Sequence, residues 1–365
     1  MRTRAAVLFE LGQPLQFKEL ELLPPRAGEV LVRYVASGIC HSDLHTMLGH
    51  LPWPTPVVLG HEGAGVVEAV GPGVSSLQVG DHVITSYQPS CGRCPYCSTG
   101  RPNLCDLRDQ PRHLMLDGTP RFRFGERDVY HYFQVSSYSQ RAVLPETSVI
   151  SIRKDAPLEV VCLVSCGVAT GAGAVLNRAR VAPGSSIAIF GCGGVGLNAI
   201  QTAALVGAAT IIAVDILDAK LEDAREFGAT HTVNAIQEDP LARIQAICGR
   251  GGADYAIEAI GSARTVEQAF QSVHRGGTVV VIGVSPVGTR LSIDPMLLLQ
   301  ERVLTGASFG GVRQRVDLPM LIDLFMQGKY KIRELISREV GLEDLNFAYD
   351  LLQRGEVRRS VLRFD

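Results

Sequence analysis

Nine cysteines are spread unevenly along this chain of 365 residues, and four of them, Cys91, Cys94, Cys97 and Cys105, crowd into one short stretch. The spacing C-x2-C-x2-C-x7-C lets four thiolates surround one ion tetrahedrally. A closed set of this kind leaves no position for a substrate, so it builds structure and does no chemistry. The segment from Gln88 to His113 is rich in Cys, Gly and Pro and has little apolar periodicity. A metal there supplies the order that side-chain packing does not. Zinc is the expected ion, with an iron–sulfur group or free thiols as alternatives.

A second group is scattered. Cys40 lies in GICHSDLH, His61 and Glu62 lie in LGHEGAG, and Cys166 lies in LVSCGVATGAG. Two thiolates and one imidazole suit a zinc that keeps an open position and polarises a bound oxygen. Each residue alone is weak evidence, because a lone cysteine is usually a small apolar core residue. Cys162 competes as the third ligand. Cys166 is preferred because a glycine-rich turn follows it and opens the next element.

The third group is Gly191-Cys192-Gly193-Gly194-Val195-Gly196, which follows the apolar run SSIAIF and opens a helical stretch. In that context the glycines fit a dinucleotide site. Gly191 permits a tight turn, Gly193 lets backbone approach a pyrophosphate, and Gly196 lets helix and strand pack closely. The helix N-terminus offers free N–H groups to the phosphates. Asp215 ends the next strand, TIIAVD. Its carboxylate can accept ribose hydroxyls and repel a 2′-phosphate, and Ile216 and Leu217 offer no arginine clamp, so NAD is expected over NADP.

The elements that must carry these groups fall into two styles. The first 150 residues alternate short strands (EVLVRYVASGIC, GVVEAV, VGDHVI) with glycine turns. From Pro183 onward strand and helix patterns alternate, which argues a parallel sheet covered by helices. GTVVVIGV and LSIDPMLLL read as the last strands of that sheet. DLPMLIDLFMQG and LEDLNFAYDLLQRG read as helices, and SVLRF as a closing strand. Hydrophobic residues make up 46% and charged residues 20%, with a formal net charge of −2. That balance gives no electrostatic reason to bind nucleic acid or an anionic membrane. The apolar run Ala5–Phe9 is too short for a signal peptide core. The uncharged run Val181–Val214 is broken by Pro183, Asn198, Gln201 and glycines, so a cytoplasmic protein is expected.

Together GICHSDLH, GHEGAG, the four-cysteine loop, SCGVATGAG, GCGGVG with Asp215, LSIDPMLLL, ASFGG and RGEVRRSVLRF resemble the zinc-dependent alcohol dehydrogenases of the medium-chain dehydrogenase/reductase superfamily. The resemblance runs over nearly the whole chain. It implies an α/β protein with a GroES-like β-rich catalytic domain at 1–167 and 310–365. A Rossmann doubly wound parallel-sheet coenzyme domain would occupy 168–309. It also implies one catalytic and one structural zinc per chain, and NAD.

By that resemblance Cys40, His61 and Cys166 hold the catalytic zinc, Glu62 sits behind it, and Asp43 accepts the free ring N–H of His61. Ser42 and His45 form the proton relay. Thr170 lies against the nicotinamide, Lys220 contacts the adenosine ribose, and Arg359 lies near the pyrophosphate. Leu51 and Tyr87 line the alcohol pocket, and Trp53 is a further candidate. His41 stands where many members carry a pyrophosphate-binding arginine. The implied activity interconverts alcohols with aldehydes or ketones. The alternatives are a thiol-dependent formaldehyde dehydrogenase acting on S-hydroxymethyl adducts and a nicotinoprotein with permanently bound NAD. Arg108 and Arg112 are the basic groups available to a thiol's carboxylates, although neither aligns cleanly with the arginine expected in that branch. Pairing of sheet edges implies a homodimer, with a tetramer as the alternative.

Overall fold

The computed structural model describes residues 1–364. Backbone contacts divide the chain into two units. One comprises Met1–Cys166, Arg313–Gly328 and the residues from Ile332 on; the other comprises Gly167–Val312 and Lys329–Lys331.

The first unit is built on two β structures. Arg2–Leu8, Gln16–Leu22, Phe122–Phe124, Arg127–His131 and Val57–Val58 close into a barrel. A seven-stranded sheet is centred on Glu29–Ile39, which pairs with Glu62–Val70, Arg141–Pro145 and Arg359–Arg363. That central strand is buried almost throughout, because the sheet is covered on both faces there. The site residues hang from its end. Cys40 follows Ile39 directly, and the short helix His41–Met47 starts at once.

The second unit holds a six-stranded parallel sheet. Its strands, in spatial order, are His231–Asn234, Thr210–Asp215, Ser186–Phe190, Ala253–Glu258, Val273–Val281 and Val303–Gly306. The chain order reverses beside Ser186–Phe190, and a doubly wound sheet opens its ligand crevice at such a point. The GCGGVG loop leaves that strand. Lys329–Lys331 belong here because the Tyr330 hydroxyl bonds Thr202 Oγ1 at 2.9 Å and the Lys331 N–H donates to Gln201 Oε1 at 2.9 Å.

LSIDPMLLL is not a strand. Pro295–Leu298 is a short helix capped by the Asp294 side chain, which accepts the Met296 N–H, with Pro295 in the first turn. The last strand is Val303–Gly306. The Asp-Pro pair is a helix start that an apolar run conceals.

Candidate metal and coenzyme sites

The ligand atoms of Cys91, Cys94, Cys97 and Cys105 all lie within 4.8 Å of one another. Local backbone turns produce this closeness. The N–H of Cys94 donates to Cys91 Sγ, that of Cys97 to Cys94 Sγ, and that of Cys91 to Cys105 Sγ, each at 3.4 Å. Cys94 caps the one-turn helix Pro95–Ser98. Backbone N–H groups of Asp106 and Cys97 pull the Cys94 thiol down to about 6. Burial pushes Cys105 up to about 12 and raises Cys97. The protein alone thus favours the Cys94 thiolate, whereas Cys97 and Cys105 need a cation at the centre. The donor set fits a structural zinc.

Cys40, His61, Glu62 and Cys166 also bring their ligand atoms within 4.8 Å of one another, and all but the half-buried Cys40 are buried. Cys166 comes from the 3₁₀ turn Cys162–Ser165, whose C-terminal boundary it forms. Cys162 instead points its sulfur at the Glu159 carbonyl, 3.7 Å away, and is absent from the cluster. Asp43 Oδ1 accepts the Gly60 N–H at 3.0 Å and lies 3.2 Å from His61 Nδ1. With Nδ1 committed to the carboxylate, Nε2 is the nitrogen available to a metal. Burial works to lower the pKa of His61, but Asp43 and Cys40 outweigh it and hold it well above the usual range. Cys40 is held low by its hydrogen bond with Cys166, against burial and with help from His61, while Cys166 is driven correspondingly high. Two thiols sharing one proton behave this way, and a dication would replace that proton.

Glu62 is fully buried and paired with Arg359, which also donates to the Ile39 carbonyl at 3.1 Å. Burial pushes Glu62 up to about 7 against the pull of Arg359. Its Oε1 has no hydrogen-bond partner among the described residues, as expected of an oxygen kept for a metal behind the site. Gly38 makes room for this carboxylate. A Cβ there would collide with Glu62 Oε2 and stand 2.9 Å from Leu163 Cδ2.

Aromatic rings wall the site. Tyr87, Tyr132 and Phe133 present edges to the His61 ring, with centroids 5.5, 5.8 and 5.9 Å away. Trp53 packs on Tyr132 and Phe133 and donates Nε1–H to the His131 carbonyl at 2.9 Å. Phe133, Gln134 and Ser136 all have positive φ, a strained run beside a candidate site. The Arg112 guanidinium stands 4.4 Å above the Phe133 ring and donates to the Tyr87 carbonyl at 2.6 Å and to Gln88 Oε1 at 3.2 Å. Burial lowers its pKa to about 10, and among the described residues no carboxylate forms an ion pair with it. Leu51 is half-buried, with its N–H on the His45 carbonyl at 3.2 Å. Ser42 is half-buried, 3.7 Å from Cys40 Sγ through its hydroxyl. The Tyr132 hydroxyl donates to the Ser42 carbonyl at 3.1 Å. Tyr132 and Phe133 are not among the residues expected from the sequence, where the aromatic run Tyr130-His131-Tyr132-Phe133 is their only signal.

In the second unit, Gly191 has φ +94°, and a Cβ on Gly196 would run into the Gly191 carbonyl. Gly193 sits at the N-cap of the helix Gly194–Leu205, and a Cβ there would meet nothing within 4 Å. That open space at a helix N-terminus, next to Gly194 and Val195, fits a pyrophosphate. Asp215 is fixed by three backbone donors, Cys192 N–H at 2.8 Å, Ile216 N–H at 2.7 Å and Leu217 N–H at 3.1 Å. Lys220 is half-buried in the first turn of the following helix. Thr170 is buried and its Oγ1 has no hydrogen-bond partner among the described residues, which fits a group kept for a bound coenzyme. His41 is exposed, and Arg359, expected near the pyrophosphate, is buried against Glu62 in the first unit.

Comparison with known proteins agrees with this geometry. Residues 26–154 match the alcohol dehydrogenase GroES-like domain, and residues 194–327 match the zinc-binding dehydrogenase family. The chain is 44% identical to the alcohol dehydrogenase class-3 of Cereibacter sphaeroides over the full length of both. It is 43% identical to the S-(hydroxymethyl)glutathione dehydrogenase of Paracoccus denitrificans, again with both chains covered completely. The chain belongs to the zinc-dependent alcohol dehydrogenases. The crystal structure of benzyl alcohol dehydrogenase from Acinetobacter calcoaceticus matches with a TM-score of 0.95 and 35% identity, covering 100% of both chains. A zinc-binding dehydrogenase of Sinorhizobium meliloti bound to NADP matches with a TM-score of 0.79 and 29% identity, also covering both completely. This alcohol dehydrogenase is therefore an oxidoreductase that uses zinc and a nicotinamide coenzyme, on a GroES-like and a Rossmann-like fold.

Proposed function

We propose that this dehydrogenase oxidises the hydroxymethyl adduct of a carboxylate-bearing thiol, glutathione first, with NAD. The observation that carries the substrate class is Arg112. A half-buried guanidinium that forms no ion pair among the described residues, stacked on a ring that touches His61, suits a substrate whose alcohol reaches the zinc while its carboxylate meets a cation. The curated relatives named for S-(hydroxymethyl)glutathione support the same choice.

Cys40, His61 and Cys166 would hold the catalytic zinc, with Asp43 orienting His61 and Glu62 behind the metal. Cys91, Cys94, Cys97 and Cys105 would hold the structural one. When bound, zinc supplies Lewis acidity toward the alcohol oxygen and the nicotinamide ring accepts hydride from the carbon. Ser42 takes the alcohol proton and His45 carries it outward. Tyr87, Tyr132, Phe133, Trp53 and Leu51 exclude water around the reacting carbon. Gly191–Gly196 and Thr170 hold the coenzyme, with Lys220 beside its ribose. Asp215 is anchored with its charge at the strand end, which favours the ribose hydroxyls of NAD over the phosphate of NADP.

The test is NADH formation from formaldehyde with and without glutathione. Strict dependence on the thiol, and a KM for the adduct raised roughly tenfold or more in Arg112→Ala, is the expected result. Equal activity without thiol overturns the substrate. The aromatic wall favours a second reading, benzylic alcohols, and high turnover of benzyl alcohol with no response to Arg112→Ala would establish it. NADH should appear free in solution; coenzyme that never leaves would mark a nicotinoprotein.

The edge strand Val303–Gly306 and the exposed Val287, Met296, Leu298 and Leu299 suit a homodimer that pairs this edge with its twin. Light scattering after gel filtration measures the mass. No single helix among the described residues is long and apolar enough to cross a membrane.

A further inference from the structure

The end of the helix His41–Met47 brings two imidazoles together. Leu48 is its C-cap, and Gly49 follows with φ +77°, a conformation that favours glycine. The Gly49 N–H donates to the Thr46 carbonyl at 3.0 Å, and the His50 N–H donates to the His45 carbonyl at 2.8 Å. These two bonds define a Schellman turn, which places the second residue after the cap against the residue three back from the helix end. That contact is usually between two apolar side chains. Here it is His50 against His45. Their Nδ1 atoms are 3.2 Å apart, with ring centroids separated by 5.5 Å. His45 is half-buried and His50 is exposed. The titratable groups acting on His45 are His50 and Cys40.

We propose that His50 is a second proton carrier, which passes the proton from His45 to solvent. The inference rests on His45 as a relay residue. With His45 protonated at Nδ1 and His50 at Nε2, the shared bond runs from His45 to His50. A proton arriving at His45 Nε2 is matched by loss of the Nδ1 proton. The His45 Nδ1–H bond breaks, the His50 Nδ1–H bond forms, and the His50 Nε2 proton leaves to water. One proton enters and one leaves. Exchange with water restores the starting tautomers. Alone, His45 would have to release each proton directly from a half-buried ring.

The experiment follows proton release with a pH-indicator dye during the first turnover of the zinc-loaded enzyme, in dilute buffer. His50→Gln can still hydrogen-bond His45 but cannot carry a proton, and His50→Ala leaves room for added imidazole. Proton release should slow roughly tenfold in both, with free imidazole restoring it in His50→Ala. Zinc content and NAD affinity should match the parent in both. A separate readout is the histidine ¹⁵N spectrum, where the Nδ1–H tautomer of one ring should be lost in His50→Ala. Release at the parent rate in both variants overturns the inference, as does failure of imidazole to restore it. If His45→Gln slows release while the His50 variants do not, the relay stands and this extension of it falls. If His45→Gln has no effect either, the relay itself is wrong.

Discussion

The two metal sets hold four candidate ligands each at the same mutual closeness, yet the protein builds them by opposite means. The four-cysteine loop draws its ligands from one run of chain, and its own N–H groups orient the sulfurs. The Cys40 set draws ligands from three separate elements, and buried charges back two of them: Asp43 on His61, and Arg359 on Glu62. The first set is a local turn problem and the second a tertiary one. A local set is shaped by its own turns and ordered by its ion, with little packing behind it. A tertiary set is held by the fold, so its geometry can serve chemistry that changes the metal's coordination.

The sharpest way to break this contrast is to remove one cysteine from each set. Cys40→Ser should cost about 10³-fold or more in kcat and lower zinc from two ions to one per chain, with the fold intact by circular dichroism. Cys97→Ser should also lose one zinc, but destabilise by about 3 kcal/mol or more and open the loop to trypsin, while the turnover of folded molecules survives. Similar turnover losses in both would erase the distinction.

The charged backing gives the next largest effects. Arg359→Met leaves Glu62 buried and unpaired, at a cost of about 3 kcal/mol in urea unfolding, and adding Glu62→Gln should recover part of it. Asp43→Asn should weaken zinc about 10–100-fold at one site only, read by competition with a chromophoric chelator.

The smallest effect near neutrality is a control independent of both sets. Burial, with Arg121 nearby, lowers His131 to about 3. Its folded pKa lies below the unfolded value of about 6.5. Between the two the unfolded chain binds the extra proton, so stability falls as pH drops from about 6.5 toward 3. The slope reaches about 1.4 kcal/mol per pH unit. His131→Phe should flatten the urea midpoint against pH over that window.

Legibility in the sequence follows the same division. The Cys91–Cys105 loop was visible from spacing, and the GCGGVG loop from its place between a strand and a helix. The Cys40 set emerged only from several motifs taken together. Glu62 and Arg359 were both singled out, but their pairing, across 297 positions, has no local signature. Tyr132 and Phe133 were missed because a pocket wall needs side-chain direction, which residue type does not supply. LSIDPMLLL misled because a four-residue apolar helix and a short strand look alike when periodicity has no room to develop.

Gly38 has no side chain to offer the site, yet any side chain there would strike the Glu62 carboxylate. Its consequence belongs to inheritance rather than to catalysis. Every amino-acid replacement at this codon enlarges the residue, so no missense change is neutral by size. A survey of natural variation confined to the ligands and the relay would overlook this position.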